Sequence, residues 1–385
     1  MTKGQFPVDK FQALETPFYY YNMELLHLTL DKIRKETENQ PYHIHYALKA
    51  NANPVLLKKI AAYGFGADCV SGNEVLRAIE YGFPASKVVF AGVGKTDKEI
   101  IIGLDNDIYC FNVESLPEIE AIAELAAERN KVAQIALRIN PNVDANTHKY
   151  ITTGLEENKF GINESDLPAA LDLINTHSSL KLIGMHFHIG SQIVDLSTFE
   201  DLSKKIVEIR DWFTAQGVSF EMINVGGGLG IDYDNPDDNP IAEFKGYFRL
   251  FEEHLKLQGS QTLHFELGRS VVGNCGSLIS RIIYVKEGNA KKFIILDSGM
   301  TELLRPALYE AYHKIENLSS EDTPEVYDVV GPICESSDVF GEDVSLNHSK
   351  RGDIVAIRSA GAYGETMAST YNCRELPKSF FSDSL

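Results

Sequence analysis

A lysine closes the stretch Tyr42-His43-Ile44-His45-Tyr46-Ala47-Leu48-Lys49, whose aromatic and branched residues read as a strand. Lysine is seldom buried without a partner. Held in an apolar pocket, its amine loses basicity and becomes a nucleophile able to form a Schiff base with a carbonyl compound. Alone, Lys49 reads as a strand-end cation reaching solvent. Three later stretches change its context. Gly226-Gly227-Gly228 would let backbone N–H groups approach a phosphate, although a glycine triplet by itself is more often a tight turn. Glu266-Leu267-Gly268-Arg269 sets a carboxylate and a guanidinium after the apolar run Leu263-His264-Phe265, and arginine bonds phosphate strongly. His186-Phe187-His188-Ile189-Gly190-Ser191-Gln192 adds imidazoles and a hydroxyl, which by default are satisfied core or rim groups.

The elements that must position these residues alternate in type. Strand signals over 42–48, 67–70, 87–91, 108–113, 133–139, 180–189, 220–225 and 262–266 are separated by helical signals over 55–63, 73–81, 97–104, 116–129, 167–176, 196–215 and 240–255. Eight strands with intervening helices fit a (β/α)8 barrel, with a doubly wound open sheet as the alternative. After Arg269 the texture becomes short Ile- and Val-rich strands over 278–285, 293–297, 326–330 and 354–357, separated by turns such as Lys286-Glu287-Gly288-Asn289. The expectation is an α/β barrel over residues 26–270 and an all-β domain from 1–25 and 271–385.

In such a barrel, chemistry sits at the carboxyl ends of the strands, and the loops after strands seven and eight often hold a phosphate. Lys49 ends the first predicted strand, the glycine triplet ends the seventh and Glu266–Arg269 the eighth. A Schiff-base lysine with a phosphate site points to pyridoxal 5'-phosphate. That cofactor draws electrons well only while its ring nitrogen stays protonated, so it needs an acidic partner, and Glu266 is placed for that.

The chain resembles the fold-type III pyridoxal phosphate-dependent decarboxylases, the group of the ornithine and diaminopimelate decarboxylases, and within it the diaminopimelate branch. The resemblance spans nearly the whole chain. It rests on Tyr46-Ala47-Leu48-Lys49-Ala50-Asn51, on His186 to Gln192, on Gly226-Gly227-Gly228 and on Glu266-Leu267-Gly268-Arg269. Further on come Arg305-Pro306-Ala307-Leu308-Tyr309, Cys334-Glu335-Ser336, Gly361-Ala362-Tyr363-Gly364 and Met367-Ala368-Ser369-Thr370-Tyr371-Asn372. Leu267 stands where the family usually has proline.

The resemblance implies decarboxylation of meso-2,6-diaminopimelate to L-lysine and carbon dioxide, the last step of lysine biosynthesis. By it, Lys49 would carry the cofactor, His188 would stack on the ring, and Glu266 would meet the ring nitrogen. Ser191, Gly227, Gly228, Gly268 and Arg269 would surround the phosphate, and Tyr363 would touch the cofactor. Arg305 and Tyr309 would take the distal end of the substrate, with Arg269 and Tyr363 close by. A planar guanidinium suits the distal carboxylate. Cys334 would return a proton to the product, and Glu335 would contact the substrate amine. In the family these two reach into the partner's site, which implies a homodimer with shared active sites. Asp68 and Arg138, near strand ends, are further candidates for supporting roles.

A net charge of -19 argues against nucleic acid or an anionic membrane as partner. No apolar run has the length of a membrane span, and Met1-Thr2-Lys3-Gly4-Gln5 has no apolar leader. The five cysteines, Cys69, Cys110, Cys275, Cys334 and Cys373, are scattered and lack CxxC spacing, which fits free thiols in the cytoplasm. Rival readings are a metal-dependent barrel hydrolase built on His43 and His45, a non-catalytic cofactor-binding barrel, and a racemase. The hydrolase leaves Lys49, Glu266 and the glycine triplet without a role. The non-catalytic barrel lacks the appended β domain, and a racemase of this fold would not be expected to place a carboxylate at the ring nitrogen. Another diamino acid or carboxynorspermidine remains an alternative substrate, and no metal is expected.

Overall fold

The structure is a computed structural model describing residues 6–143 and 159–385. Residues 1–5, read above for a leader, lie outside it. Strand β1 (Phe18–Tyr21) is followed by eight strands that close into a parallel barrel in chain order. These are β2 (Tyr42–Ala47), β3 (Gly66–Cys69), β4 (Val88–Phe90), β5 (Cys110–Val113), β6 (Ala133–Arg138), β7 (Leu180–His186), β8 (Met222–Asn224) and β9 (Thr262–Leu267). The eight expected strands are all present. β7 is shorter than expected and ends at His186, which leaves His188 in the loop beyond it.

Capping residues mark where several of the barrel helices begin. Asn53 accepts from Val55 N–H, Ser71 from Glu74 N–H and Ser115 from Glu118 N–H, while Thr96 and Glu99 form a capping box. Each satisfies helix N–H groups that would otherwise lack partners. Inside the barrel Val89, Cys110, Ala136, Ile183 and Met222 make a fully buried apolar cluster.

Two compact units emerge, one of residues 30–230 and 243–268, the other of 1–29, 231–242 and 269–385. The first holds the barrel. The second is built on an eight-stranded sheet that includes β10 (Gly276–Glu287), β11 (Lys292–Leu296), β12 (Ile315–Asn317), β13 (Pro324–Val330), β14 (Val339–Asn347), β15 (Ile354–Ile357) and β16 (Lys378–Phe381). Their order is β12-β15-β10-β11-β13-β14, and β1 joins β10 to β16. Tyr19, Tyr20 and Tyr21 therefore serve as a central strand of this sheet.

Candidate active site

Strand register brings the sequence candidates of the barrel together. β2 lies between β3 and β9, with Ala47 beside Asp68 and His45 beside Glu266. The chain leaves β2 through a single tight turn, Leu48–Ala50, whose apolar ends are buried. Lys49 is the residue left outside, 40% exposed, with Nζ 3.4 Å from Asp68 Oδ2. Asp68 is wholly buried. Burial and the Glu266 charge push its carboxyl up to about 7, with Lys49 pulling it back.

Glu266 faces the barrel interior and is also buried. Its Oε1 accepts from Asn112 Nδ2 at 3.1 Å and Asn224 Nδ2 at 2.8 Å. Its Oε2 lies 3.0 Å from His186 Nε2. Burial alone would raise this carboxyl, but His186 and Lys49 outweigh burial and hold it well below the usual range. A carboxylate with several charge-assisted donors can stay ionised away from water. His188 shows the opposite balance, since burial and then Arg138 and Lys49 hold its imidazole neutral, far below its ordinary range.

The glycine triplet has a packing reason of its own. A Cβ on Gly227 would collide with the Glu266 carbonyl oxygen, and Gly228 has a φ of +106°. Bare backbone is thus required for the loop to lie on β9 and on the loop after β7. That second loop is tied down by Ile193 N–H to Gly228 O at 2.8 Å and Gly230 N–H to Ile193 O at 2.9 Å, which sets Gly190 and Ser191 beside the triplet. Gly226 N–H is taken by Asn224 Oδ1 and Gly227 N–H by His188 Nδ1. Gly228 N–H has no protein acceptor among the described residues. Leu267, in register with Tyr46, is buried, and Gly268 packs on Ala47 and Ala50.

Arg138 is held by Glu114 at 2.9 Å and lies 4.6 Å from the Phe160 ring centroid. Glu114 also accepts from Gly92 and Gly161 N–H, so it staples three loops at the carboxyl end of the barrel.

The second unit carries its own constellation. Arg269 Nη1 donates to Tyr233 OH at 2.6 Å and its guanidinium lies 5.0 Å from the Tyr363 ring centroid. Tyr363 adopts a left-handed backbone at φ +57°. Arg305 sits 5.0 Å from the Tyr233 ring centroid and 2.7 Å from His313 Nε2. His313 Nδ1 lies 2.8 Å from the Arg358 carbonyl, so Nδ1 donates there and Nε2 accepts from Arg305. Burial and Arg305 push His313 down to about 3, which agrees with a neutral ring. Arg305 is buried, and the partners found for it among the described residues are His313 and the Tyr233 ring. Tyr309 ends the short helix that Arg305 begins.

Cys334 and Glu335 are exposed on a turn pinned by Asp338, which accepts from Met300 N–H and Ile333 N–H. Glu335 accepts from Tyr371 OH at 2.6 Å. Asn112, Asn224, Tyr233 and His313 were not singled out from sequence. Asparagine is depleted in strands, and its presence in Cys110-Phe111-Asn112-Val113 and Met222-Ile223-Asn224-Val225 was the available signal.

The residues fit the cofactor expected from sequence. A buried carboxylate kept ionised, a lysine at the same barrel mouth and an open N–H at Gly228 meet a ring nitrogen, an aldehyde and a phosphate in kind. The three histidines His43, His45 and His264 stack on one another instead of gathering carboxylates, and no metal-ligating cluster occurs among the described residues.

Comparison with known proteins agrees with the geometry. Residues 27–273 match the family model for the pyridoxal-dependent decarboxylase, pyridoxal binding domain. The diaminopimelate decarboxylase of Bacteroides thetaiotaomicron is 59% identical over 384 residues, covering 100% of both chains. That of Neisseria meningitidis serogroup B is 42% identical, covering 94% of this chain and 87% of the relative. The crystal structure of diaminopimelate decarboxylase from Helicobacter pylori complexed with L-lysine superposes with a TM-score of 0.91 at 38% identity, covering 97% of this chain and 93% of that one. The chain belongs to the diaminopimelate decarboxylase family of pyridoxal-dependent decarboxylases.

Proposed function

We propose that the chain decarboxylates meso-2,6-diaminopimelate to L-lysine and carbon dioxide with pyridoxal 5'-phosphate held at the barrel mouth. The observation that carries this reading is Glu266, a buried carboxylate kept charged in the barrel that also presents Lys49. The bound cofactor supplies the sink for the electron pair released when the Cα–carboxylate bond breaks. Lys49 supplies the amine that anchors it and gives way to the substrate amine. Asp68, 3.4 Å from that amine and with a carboxyl near neutrality, can take or return its proton. Glu266 would keep a proton on the ring nitrogen, His188 would lie against the ring, and Ser191, Gly227, Gly228, Gly268 and Arg269 would hold the phosphate. Arg138 stands behind His188 as a fixed positive charge.

For the substrate, Arg305 and Tyr309 take the distal carboxylate, with Arg269 and Tyr363 as further contacts. Arg305 is suited to an anion because its burial among neutral partners is otherwise uncompensated. Glu335 would contact the substrate amine, and Cys334 would deliver the proton that completes lysine. Both are exposed, in keeping with service in a partner's site and with a homodimer. The reading places the enzyme in the cytoplasm, and no helix of the described residues is long and apolar enough to cross a membrane.

The test offers purified, cofactor-loaded protein meso-diaminopimelate, ornithine, lysine and carboxynorspermidine, and measures carbon dioxide from each. Preference for meso-diaminopimelate is expected. Preference for another overturns the assignment.

A further inference from the structure

Glu266 has three side-chain donors, and they use its two oxygens unequally. Asn112 and Asn224 both donate to Oε1, at 3.1 and 2.8 Å, while His186 alone meets Oε2, at 3.0 Å. An ionised carboxylate offers about four lone-pair sites. Two are filled on Oε1 and one on Oε2, which leaves one acceptor site, on Oε2.

The donors come from β5, β7 and β8, and all are buried. Each is committed to Glu266. Asn224 spends its other end on Gly226 N–H at 2.9 Å, and His186 Nδ1 and Asn112 Oδ1 find no partner among the described residues. Two buried polar atoms without partners are a cost the fold carries to keep these donors aimed.

Resting on the function proposed above, we propose that Asn112, His186 and Asn224 are positioning residues: they fix Glu266 in one orientation and leave Oε2 as the oxygen that holds the cofactor's ring N–H. The electron sink then depends on the donors as well as on Glu266. A leucine at position 186 or 224 removes a donor, and the carboxylate loses charge or turns. The direction of the Glu266 shift, downward despite burial, agrees with this arrangement.

The experiment loads wild type, His186→Leu, Asn224→Leu, His186→Gln and His186→Asn with cofactor labelled with 15N at the ring nitrogen. Its 15N chemical shift reads ring protonation directly, alongside kcat and KM. In the leucine variants the shift is expected to move toward the neutral ring, with kcat falling roughly 10- to 100-fold and KM changing little. His186→Gln, whose amide reaches as far as Nε2, restores both readouts, and His186→Asn, one methylene shorter, does not. If the leucine variants fail to fold, the Gln and Asn pair decides. In a Glu266→Gln background, His186→Gln and His186→Asn cause no further change, because they act through Glu266. A wild-type ring shift and kcat in His186→Asn overturn the inference while leaving the proposed function intact. Failure of wild type to take up the cofactor overturns both.

Discussion

Lys49 Nζ and Asp68 Oδ2 lie 3.4 Å apart, yet Asp68 is fully buried while Lys49 is 40% exposed. The pair is lopsided. Asp68 bears the desolvation, and Lys49 compensates only part of it. A buried carboxyl pushed up to about 7 stays protonated in the fold at pH values where the unfolded chain has already released the proton. Its contribution to stability is whole below about pH 4 and is lost as pH rises through 7. Asp68→Asn removes that loss. The variant's cofactor-free form is expected to be more stable than wild type at pH 8 by at least about 1 kcal/mol. The advantage should fade at pH 4, and turnover should fall. Urea denaturation at the two pH values checks it; equal differences at both would contradict the argument.

A second buried group titrates the opposite way. His45 Nε2 is 2.8 Å from His264 Nδ1, and the His43, His45, His264 and Tyr109 rings stack. Burial pushes His45 down to about 4, with Glu266 and the Lys87 carbonyl opposing and His43 and the Lys87 charge adding to it. The unfolded chain binds a proton near pH 6.5 that the folded chain refuses until about pH 4. Stability is therefore whole above 6.5 and is lost as pH falls through that window. From pH 7 to pH 5 the loss from His45 alone should be about 2 kcal/mol. His45→Gln should flatten the profile, and urea denaturation across that range measures it.

The barrel was legible because its signals are local. Each strand is a short apolar run, and several helices announce themselves through a cap such as Ser71 or Ser115. The sheet of the second unit was only partly legible. β12 is three residues long, and β14 carries Gly341, Glu342 and Asp343 with mostly intermediate or exposed positions, so neither shows a period in the sequence. Lys49, His188, the glycine triplet and Glu266 could be picked out by type and strand-end position. The donors to Glu266 could not, because Asn112 and Asn224 stand 154 and 42 residues from it in the chain. Only barrel closure shows what they touch. Tyr233 was hidden in an Asp- and Asn-rich stretch that reads as a plain loop.

Arg305 offers a test of substrate recognition. Among the described residues it meets the Tyr233 ring and His313 Nε2, with Arg269 a like charge nearby, so an incoming anion would meet its charge unopposed. Lysine keeps the charge but loses the planar fork that grips a carboxylate at two points. Arg305→Lys should raise KM for meso-diaminopimelate roughly 10- to 100-fold, with a smaller change in kcat. The same variant should bind the cofactor as wild type does. Steady-state kinetics beside a cofactor titration separates the effects, and an unchanged KM would take Arg305 out of the substrate site.

Cys334 and Lys49 test the shared site. Lys49→Ala should lose the bound cofactor's absorbance together with turnover. Cys334→Ala should keep the absorbance while turnover collapses, because the proposed role of this exposed thiol is to deliver a proton and not to hold the cofactor. Each variant alone is close to inactive. If Cys334 serves the partner's Lys49, a mixed dimer has one site lacking both groups and one site that is fully native. Random mixing makes about half of the dimers mixed, so about a quarter of wild-type activity should return when the two inactive variants are refolded or co-expressed together. If both residues act within one chain, every site in the mixture lacks one of them and no activity returns. Carbon dioxide release from the mixture therefore decides between a shared site and a self-contained one.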